Sequence, residues 1–251
     1  MMKSMMNSFL CAAKFLTRLP LGKELEHPAA LSGDTVVWYA PVGMLIGILM
    51  TAIAWFLSQW IQLPPSIVGI VVLITWVGIT GALHLDGLAD CGDAWMGGHT
   101  AERMLEIMKD TSCGVGAIVA VALVLLVKLS ALSVLLAQGD WMLLIFPPVI
   151  ARIALSIVIC SMPYIRSEGI GWSLQSNVST KEIGISGLVL SLVLCMVSFQ
   201  SFIIAAIASA IAFLLIYRCF IKPVKGATGD IYGALVETVE AFVLVGLVVG
   251  S

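Results

Sequence analysis

Residues 35–85 read TVVWYAPVGMLIGILMTAIAWFLSQWIQLPPSIVGIVVLITWVGITGALHL and contain no Asp, Glu, Lys or Arg. The hydrocarbon core of a bilayer is about 30 Å thick and takes roughly 20 helical residues to cross, so a run of this length is two crossings rather than one. Pro64-Pro65 near its middle supplies the break, a tight turn between antiparallel helices. In lipid every backbone amide and carbonyl needs an internal partner, which leaves helix as the reading for both halves. A second charge-free run, residues 183–217, repeats the pattern around Ser198-Phe199-Gln200-Ser201.

Outward from these runs, hydropathy marks seven expected spans, at approximately 36–60, 66–83, 114–137, 141–162, 183–199, 202–217 and 233–250. The whole chain has 251 residues, 60% hydrophobic and 11% charged, where a soluble domain carries about 25% charged. That excludes an ordinary water-soluble enzyme. A net charge of -2 gives nucleic acid or another strongly charged partner no footing. The expected fold is all-α, a polytopic integral membrane bundle of about seven transmembrane helices forming one domain over residues 1–251. Ahead of the bundle, SFLCAAKFLTRLP is interrupted by Lys14 and Arg18 and lacks a small-residue cleavage site. It reads as an amphipathic helix at the membrane surface and not as a signal peptide. The six cysteines show no CxxC spacing and read as free thiols.

Positive charge tests the topology independently, because Lys and Arg in short loops stay on the cytoplasmic side. With the N-terminus inside, Lys3, Lys14, Arg18, Lys23, Arg103, Lys109, Arg166, Lys181, Arg218, Lys222 and Lys225 all fall on one face. Only Lys128 and Arg152 lie inside expected spans, where pairing with a neighbouring helix is the ordinary outcome and a functional role the alternative. All acids but Asp140 lie on or next to the same inner face.

The densest acidic group follows the second span, GALHLDGLADCGDAW, with Asp86, Asp90 and Asp93 at spacings of four and three. As a helix, the stretch puts these carboxylates within an arc of about 60°. Such a stripe repels itself unless cations occupy it, and oxygen-only ligands favour hard ions such as magnesium. His84 precedes Asp86 by two and points away from the stripe; it is carried as a candidate catalytic group with the three acids. In the next block, GGHTAERMLEIMKDTSCGVGA, Arg103 and Glu106 suit a local ion pair, while Asp110 is placed to complete a metal site begun by the first block. A third block, RCFIKPVKGATGDIYGALVETVEAF, combines cations, a glycine-rich turn and three acids. Lys222, Lys225, Thr228 and Asp230 there, with Arg103 and Lys109, are the candidate substrate-binding residues, since exposed amides beside lysines suit phosphate. Asp230 also fits a helix N-cap. Glu237 and Glu240 fall inside the last span, where buried carboxylates need a cation or a cavity, and join the metal candidates. A membrane protein with acidic clusters and a basic glycine turn on one face suits transfer of a phosphate-linked group.

HLDGLADCGDAW, RMLEIMKDTSCGVGA, RSEGIGW and KGATGDIYGALVETVEA, in that order and after an N-terminal FLTRLP, resemble the signature blocks of the cobalamin synthase family, the adenosylcobinamide-GDP ribazoletransferases. The resemblance spans nearly the whole chain; Cys91-Gly92 and Thr111-Ser112-Cys113-Gly114 depart from it. It implies a magnesium-dependent transferase of phosphorus-containing groups in the bacterial inner membrane, with its site toward the cytoplasm. The reaction implied is assembly of the nucleotide loop of cobalamin (vitamin B12): α-ribazole or its 5′-phosphate attacks adenosylcobinamide-GDP and GMP leaves. Asp86, Asp90 and Asp93 would then hold magnesium, completed by Asp110 or Glu237. A CDP-alcohol phosphotransferase shares the membrane setting, but Asp90 stands where its pattern needs Arg. A transporter is the non-enzyme reading, prompted by Lys128, Arg152 and the buried glutamates.

Overall fold

The computed structural model describes residues 2–21, 32–166, 170–175 and 178–250; Lys23, His27 and residues 167–169 of the RSEGIGW block lie outside them. Among the described residues every regular element is helical, and the single β-bridge joins Tyr164 to Ala227. The N-terminal helix α1 (Met2–Leu16) buries Ala12, Ala13 and Leu16 and leaves Met5 and Met6 exposed, the two-sided pattern expected of it.

A 3-10 turn, Gly33–Trp38, leads into α2 (Tyr39–Gln59), and α3 (Pro65–Thr80) follows the Pro64-Pro65 turn. Here the expectation of a span continuing to residue 83 is corrected. Gly81 and Ala82 both adopt left-handed backbone, at φ 60° and 56°, and two such residues in succession end the helix. The acidic stretch starts a new helix, α4 (Leu83–Gly97), bent by 91° from α3. Arg18 covers the bend: its amide donates to the Ile79 carbonyl at 2.6 Å, and its side chain occupies the space where a Cβ on Gly81 would stand.

After α5 (Ala101–Ile107), α6 (Val115–Gln138) runs to the Gly139 turn. A 3-10 turn over Trp141–Ile145 then opens α7 (Phe146–Ser161), and α8 (Ile170–Leu174) is a short connector. The polar break at 198–201 contracts to one residue, because the Ser198 hydroxyl accepts from the Ser201 amide and caps the next helix immediately. Thus α9 (Thr180–Val197) and α10 (Phe199–Ile216) are separated by Ser198 alone. A π-turn at Tyr217–Ile221 and a short α11 (Lys222–Val224) precede α12 (Gly229–Gly250), which starts four residues before its expected span.

Six helical segments are each long and apolar enough to cross a membrane, and counting the bent pair of α3 and α4 as one span brings the number to the expected seven. Faces of α6, α9 and α10 carry exposed Leu, Ile and Val, the surface that lipid requires, while α7 and α12 are mostly enclosed. The central helix α12 packs against α4, α6, α7 and α10. Its first turn is therefore where other helices bring their polar residues.

Candidate active site

Close approach of three backbones builds the site. Helix α4 runs across the first turns of α12 and α6, and glycines mark both crossings. A Cβ on Gly87 would stand 2.7 Å from the Asp230 carbonyl oxygen, and one on Gly233 would stand 2.8 Å from that of His84. Farther along α4, a Cβ on Gly92 would stand 2.7 Å from the Gly116 carbonyl oxygen. These contacts explain why glycines poor in helix propensity sit inside a helix: at each point a methyl group would push the helices apart.

The crossing sorts the acidic stripe. Asp86 is exposed and Asp90 half-buried, and both belong to a carboxylate group that α12 completes with Asp230. Burial, then the charges of Asp230 and Asp86, raise the Asp90 carboxyl to about 6. Asp93 has a different task. Its two carboxylate oxygens accept from the Gly114 amide at 2.7 Å and the Ala117 amide at 2.9 Å, capping α6 from a neighbouring helix. Asp93→Ala is expected to lower stability by about 1–2 kcal/mol, read as a lower melting temperature of the purified protein in detergent.

The third acid of the cluster is supplied from far away in sequence. The Thr228 hydroxyl accepts from the Ile231 amide at 3.3 Å and caps α12, so Asp230 is freed from the N-cap role that its position suggested. Arg166 Nη2 donates to Asp230 at 2.5 Å and to the Met108 carbonyl at 3.2 Å. Its buried Nε has no partner among the described residues. Arg166 entered the sequence reading only as one inner cation and the head of a motif block; the partner 64 residues later carries no local signal.

The remaining candidates are distributed differently. Asp110 closes a local turn, accepting from the Ser112 hydroxyl at 2.7 Å and amide at 3.0 Å, which holds its carboxyl below the usual range. Arg103 pairs with Glu106 at 2.9 Å on an exposed surface, worth a few tenths of a kcal/mol. Lys109, Lys222 and Lys225 are exposed at the same charged end. Lys225 sits in left-handed backbone at φ 61°, where the chain turns toward buried Gly226, Ala227 and Thr228.

Glu237 and Glu240 need a corrected assignment. Both lie on the Asp230 side of α12, but seven residues of helix carry Glu237 about 10 Å farther along the axis, too deep to join the α4 acids. The cations that satisfy them come from the protein. Lys128 Nζ donates to Glu237 at 2.5 Å and to Glu240 at 2.6 Å, and Arg152 Nη1 donates to Glu240. Lys128 also stands 4.7 Å from the centroid of the Trp76 ring. All four charges are buried, and they sum to zero.

Among the described residues no three histidine, cysteine or acidic side chains gather into a ready metal shell. Magnesium is ordinarily held by one or two carboxylates and completes its shell with water and phosphate oxygens. One or two carboxylates of the oxygen-only group Asp86, Asp90 and Asp230, with like charges crowded around half-buried Asp90, meet that requirement. Asp93, Asp110, Glu237 and Glu240 are each engaged elsewhere.

His84 is buried, with Nδ1 unpartnered, and lines a cavity of about 190 Å³ between α4, α7 and α12. Asp86 and Asp230 line the same cavity, so its polar end coincides with the acidic cluster.

A family profile described as Cobalamin-5-phosphate synthase matches residues 8–248. A Pseudomonas aeruginosa (strain UCBPP-PA14) relative is 38% identical over 98% of this chain and 99% of its own length. One from Stutzerimonas stutzeri (strain A1501) is 37% identical over 95% and 96%, and one from Acinetobacter baumannii (strain ATCC 17978) is 35% identical over 97% and 98%. Each of the three carries the name adenosylcobinamide-GDP ribazoletransferase. No solved structure matches the chain.

Proposed function

Because the chain belongs to the cobalamin-5-phosphate synthase family, we propose that it transfers the cobinamide phosphate of adenosylcobinamide-GDP to α-ribazole or its 5′-phosphate and releases GMP. The observation that carries the reading is the meeting of Asp86, Asp90, Asp230 and Arg166 beside one cavity at the charged end of the bundle. The concentration of lysines and arginines there supports a cytoplasmic site in a bacterial inner membrane.

A ribose hydroxyl of the acceptor attacks the cobinamide-side phosphorus. The new phosphorus–oxygen bond forms as the bond to the bridging oxygen breaks, and that oxygen leaves with GMP. The hydroxyl proton passes to an ionised carboxylate, Asp86 being the acid that is both exposed and open to the cavity. The partly exposed Arg166 and the exposed Lys222 and Lys225 bind the diphosphate oxygens. Two carboxylates of Asp86, Asp90 and Asp230 would hold magnesium, and the ion would supply charge neutralisation for the diphosphate and the departing phosphate.

The alternatives are less well supported. The transporter reading loses its motive, because Lys128, Arg152, Glu237 and Glu240 pair with one another and their charges cancel. A CDP-alcohol phosphotransferase needs Arg where Asp90 stands. Purified protein given adenosylcobinamide-GDP, α-ribazole and magnesium is expected to form GMP and an adenosylcobalamin product in equal amounts. Adding EDTA should stop turnover, and restoring magnesium should restart it. Hydrolysis to GMP without a cobalamin product would reject the transferase assignment; unchanged turnover in EDTA would reject the metal.

A further inference from the structure

Away from the acidic cluster, α9 stands apart from the bundle behind a cleft. The Ser186 hydroxyl donates to the Val37 carbonyl at 2.9 Å and pins the helix to the 3-10 turn, yet only Ile183 and Leu194 of α9 are buried. The cleft, of about 230 Å³, is walled by Val36, Ala40 and Ile153 from the turn, α2 and α7, and by Gly184 and Gly187 of α9 itself. A Cβ on Gly184 would meet nothing within 4 Å, and one on Gly187 would meet only the Ile153 Cγ2 atom, at 3.8 Å. Glycine inside a helix weakens it. The glycines of α4 make room for another backbone, whereas these two make room for nothing in the chain.

The cleft opens to the lipid side through exposed Ile157 and Leu188 and continues toward the charged end of the bundle. There Val37 and Ser186 also line a second cavity, of about 580 Å³, together with Ser8, Trp38, Asp34 and Glu182. Both carboxylates are exposed and have no ion-pair partner among the described residues, and no Lys or Arg lines this cavity. Trp38 marks the headgroup level that tryptophan favours. One continuous surface is therefore apolar at the depth of acyl chains and anionic at the depth of headgroups.

That combination selects the occupant. An apolar cavity of roughly 150 Å³ stays dry and accommodates benzene, so the larger cleft has room for a stretch of acyl chain. Two carboxylates repel an anionic headgroup and attract a cation. A primary ammonium brings three N–H donors and can reach both acids, whereas a quaternary ammonium has none to give. Lys181, exposed and one residue before Glu182, offers the lipid phosphate a cation at the same end of α9.

We propose that the cleft between α9 and the bundle binds one phospholipid with a primary-amine headgroup, phosphatidylethanolamine. Its ammonium sits on Asp34 and Glu182, and one acyl chain lies alongside Gly184 and Gly187. The lipid completes the packing of α9 against α2 and α7. Nothing in this site depends on the reaction assigned to the acidic cluster.

The test uses the full-length protein, delipidated in detergent and given phosphatidylethanolamine, phosphatidylcholine or phosphatidylglycerol with identical acyl chains. Native mass spectrometry should show one phosphatidylethanolamine retained about tenfold more strongly than either other lipid, the effect of one charge-assisted hydrogen bond. This lipid alone should raise the melting temperature. Asp34→Asn combined with Glu182→Gln should bring the three lipids to parity. Gly187→Leu, which fills the cleft, should abolish retention, yet without lipid it should melt no lower than the wild type, because leucine favours helix over glycine. Equal retention of the three lipids by the wild type, or a preference for phosphatidylethanolamine that persists in either variant, would overturn the proposal. So would a wild-type dimer that Gly187→Leu dissociates, which would give the cleft to a second copy of the chain.

Discussion

Asp90→Asn protein, folded and saturated with both substrates, is expected to release GMP about 10²–10³-fold more slowly than the wild type. The substitution keeps the shape of the side chain and removes its charge. Asp90 is the half-buried member of the cluster, flanked by Asp86 one helical turn away and by Asp230 from α12. Burial, and then the charges of those neighbours, raise its carboxyl to about 6, a shift that a bound cation would oppose. Neutralising it should weaken magnesium most visibly: excess metal should recover part of the lost rate. Asp93→Asn provides the contrast, because its oxygen can still accept from one amide of α6 and its effect should fall mainly on stability. GMP release by folded Asp90→Asn at the wild-type rate would show that the cluster does not hold the metal.

Glu240→Leu is expected to destabilise the protein by about 3–5 kcal/mol, seen as a large fall in melting temperature in detergent. Glu240 accepts from both Lys128 and Arg152, and its removal leaves two buried cations facing Glu237 alone. Such a loss reflects the uncompensated charge more than the strength of the original pair. The double variant Arg152→Met with Glu240→Leu removes one charge of each sign and preserves the Lys128–Glu237 pair. It should recover most of the loss. Equal instability of the single and double variants would mean that packing, and not charge balance, is the dominant contribution of these side chains. Because the network ties α6 and α7 to α12 directly beneath α4, the single variant should also lose activity through displacement of Asp230.

The sequence carried the membrane architecture because the signals are local. Long apolar runs, proline and glycine turns, and one-sided cations depend on neighbouring residues, and the six long apolar helices and the bent pair lie close to the expected spans. Helical spacing also showed that Asp86, Asp90 and Asp93 share a face. It did not show that the face is divided, because α6 takes Asp93 as its cap while α12 brings Asp230 to the other two. Arg166 was legible as a cation and as part of a motif, but not as the partner of Asp230.

By itself, then, the sequence determined that this chain is a helical membrane protein whose scarce charges gather at one end, together with the family to which those charged blocks point. Only the tertiary structure decided which acids act together. Two consecutive left-handed residues, Gly81 and Ala82, turn α4 across the ends of α6 and α12, and glycine crossings let the backbones close to contact. The rise of 1.5 Å per residue then sets depth along α12: Asp230 meets the acidic stripe, whereas Glu237 and Glu240 descend to Lys128 and Arg152. Periodicity fixes the face on which a side chain lies, but the depth and partner it finds depend on where another helix crosses.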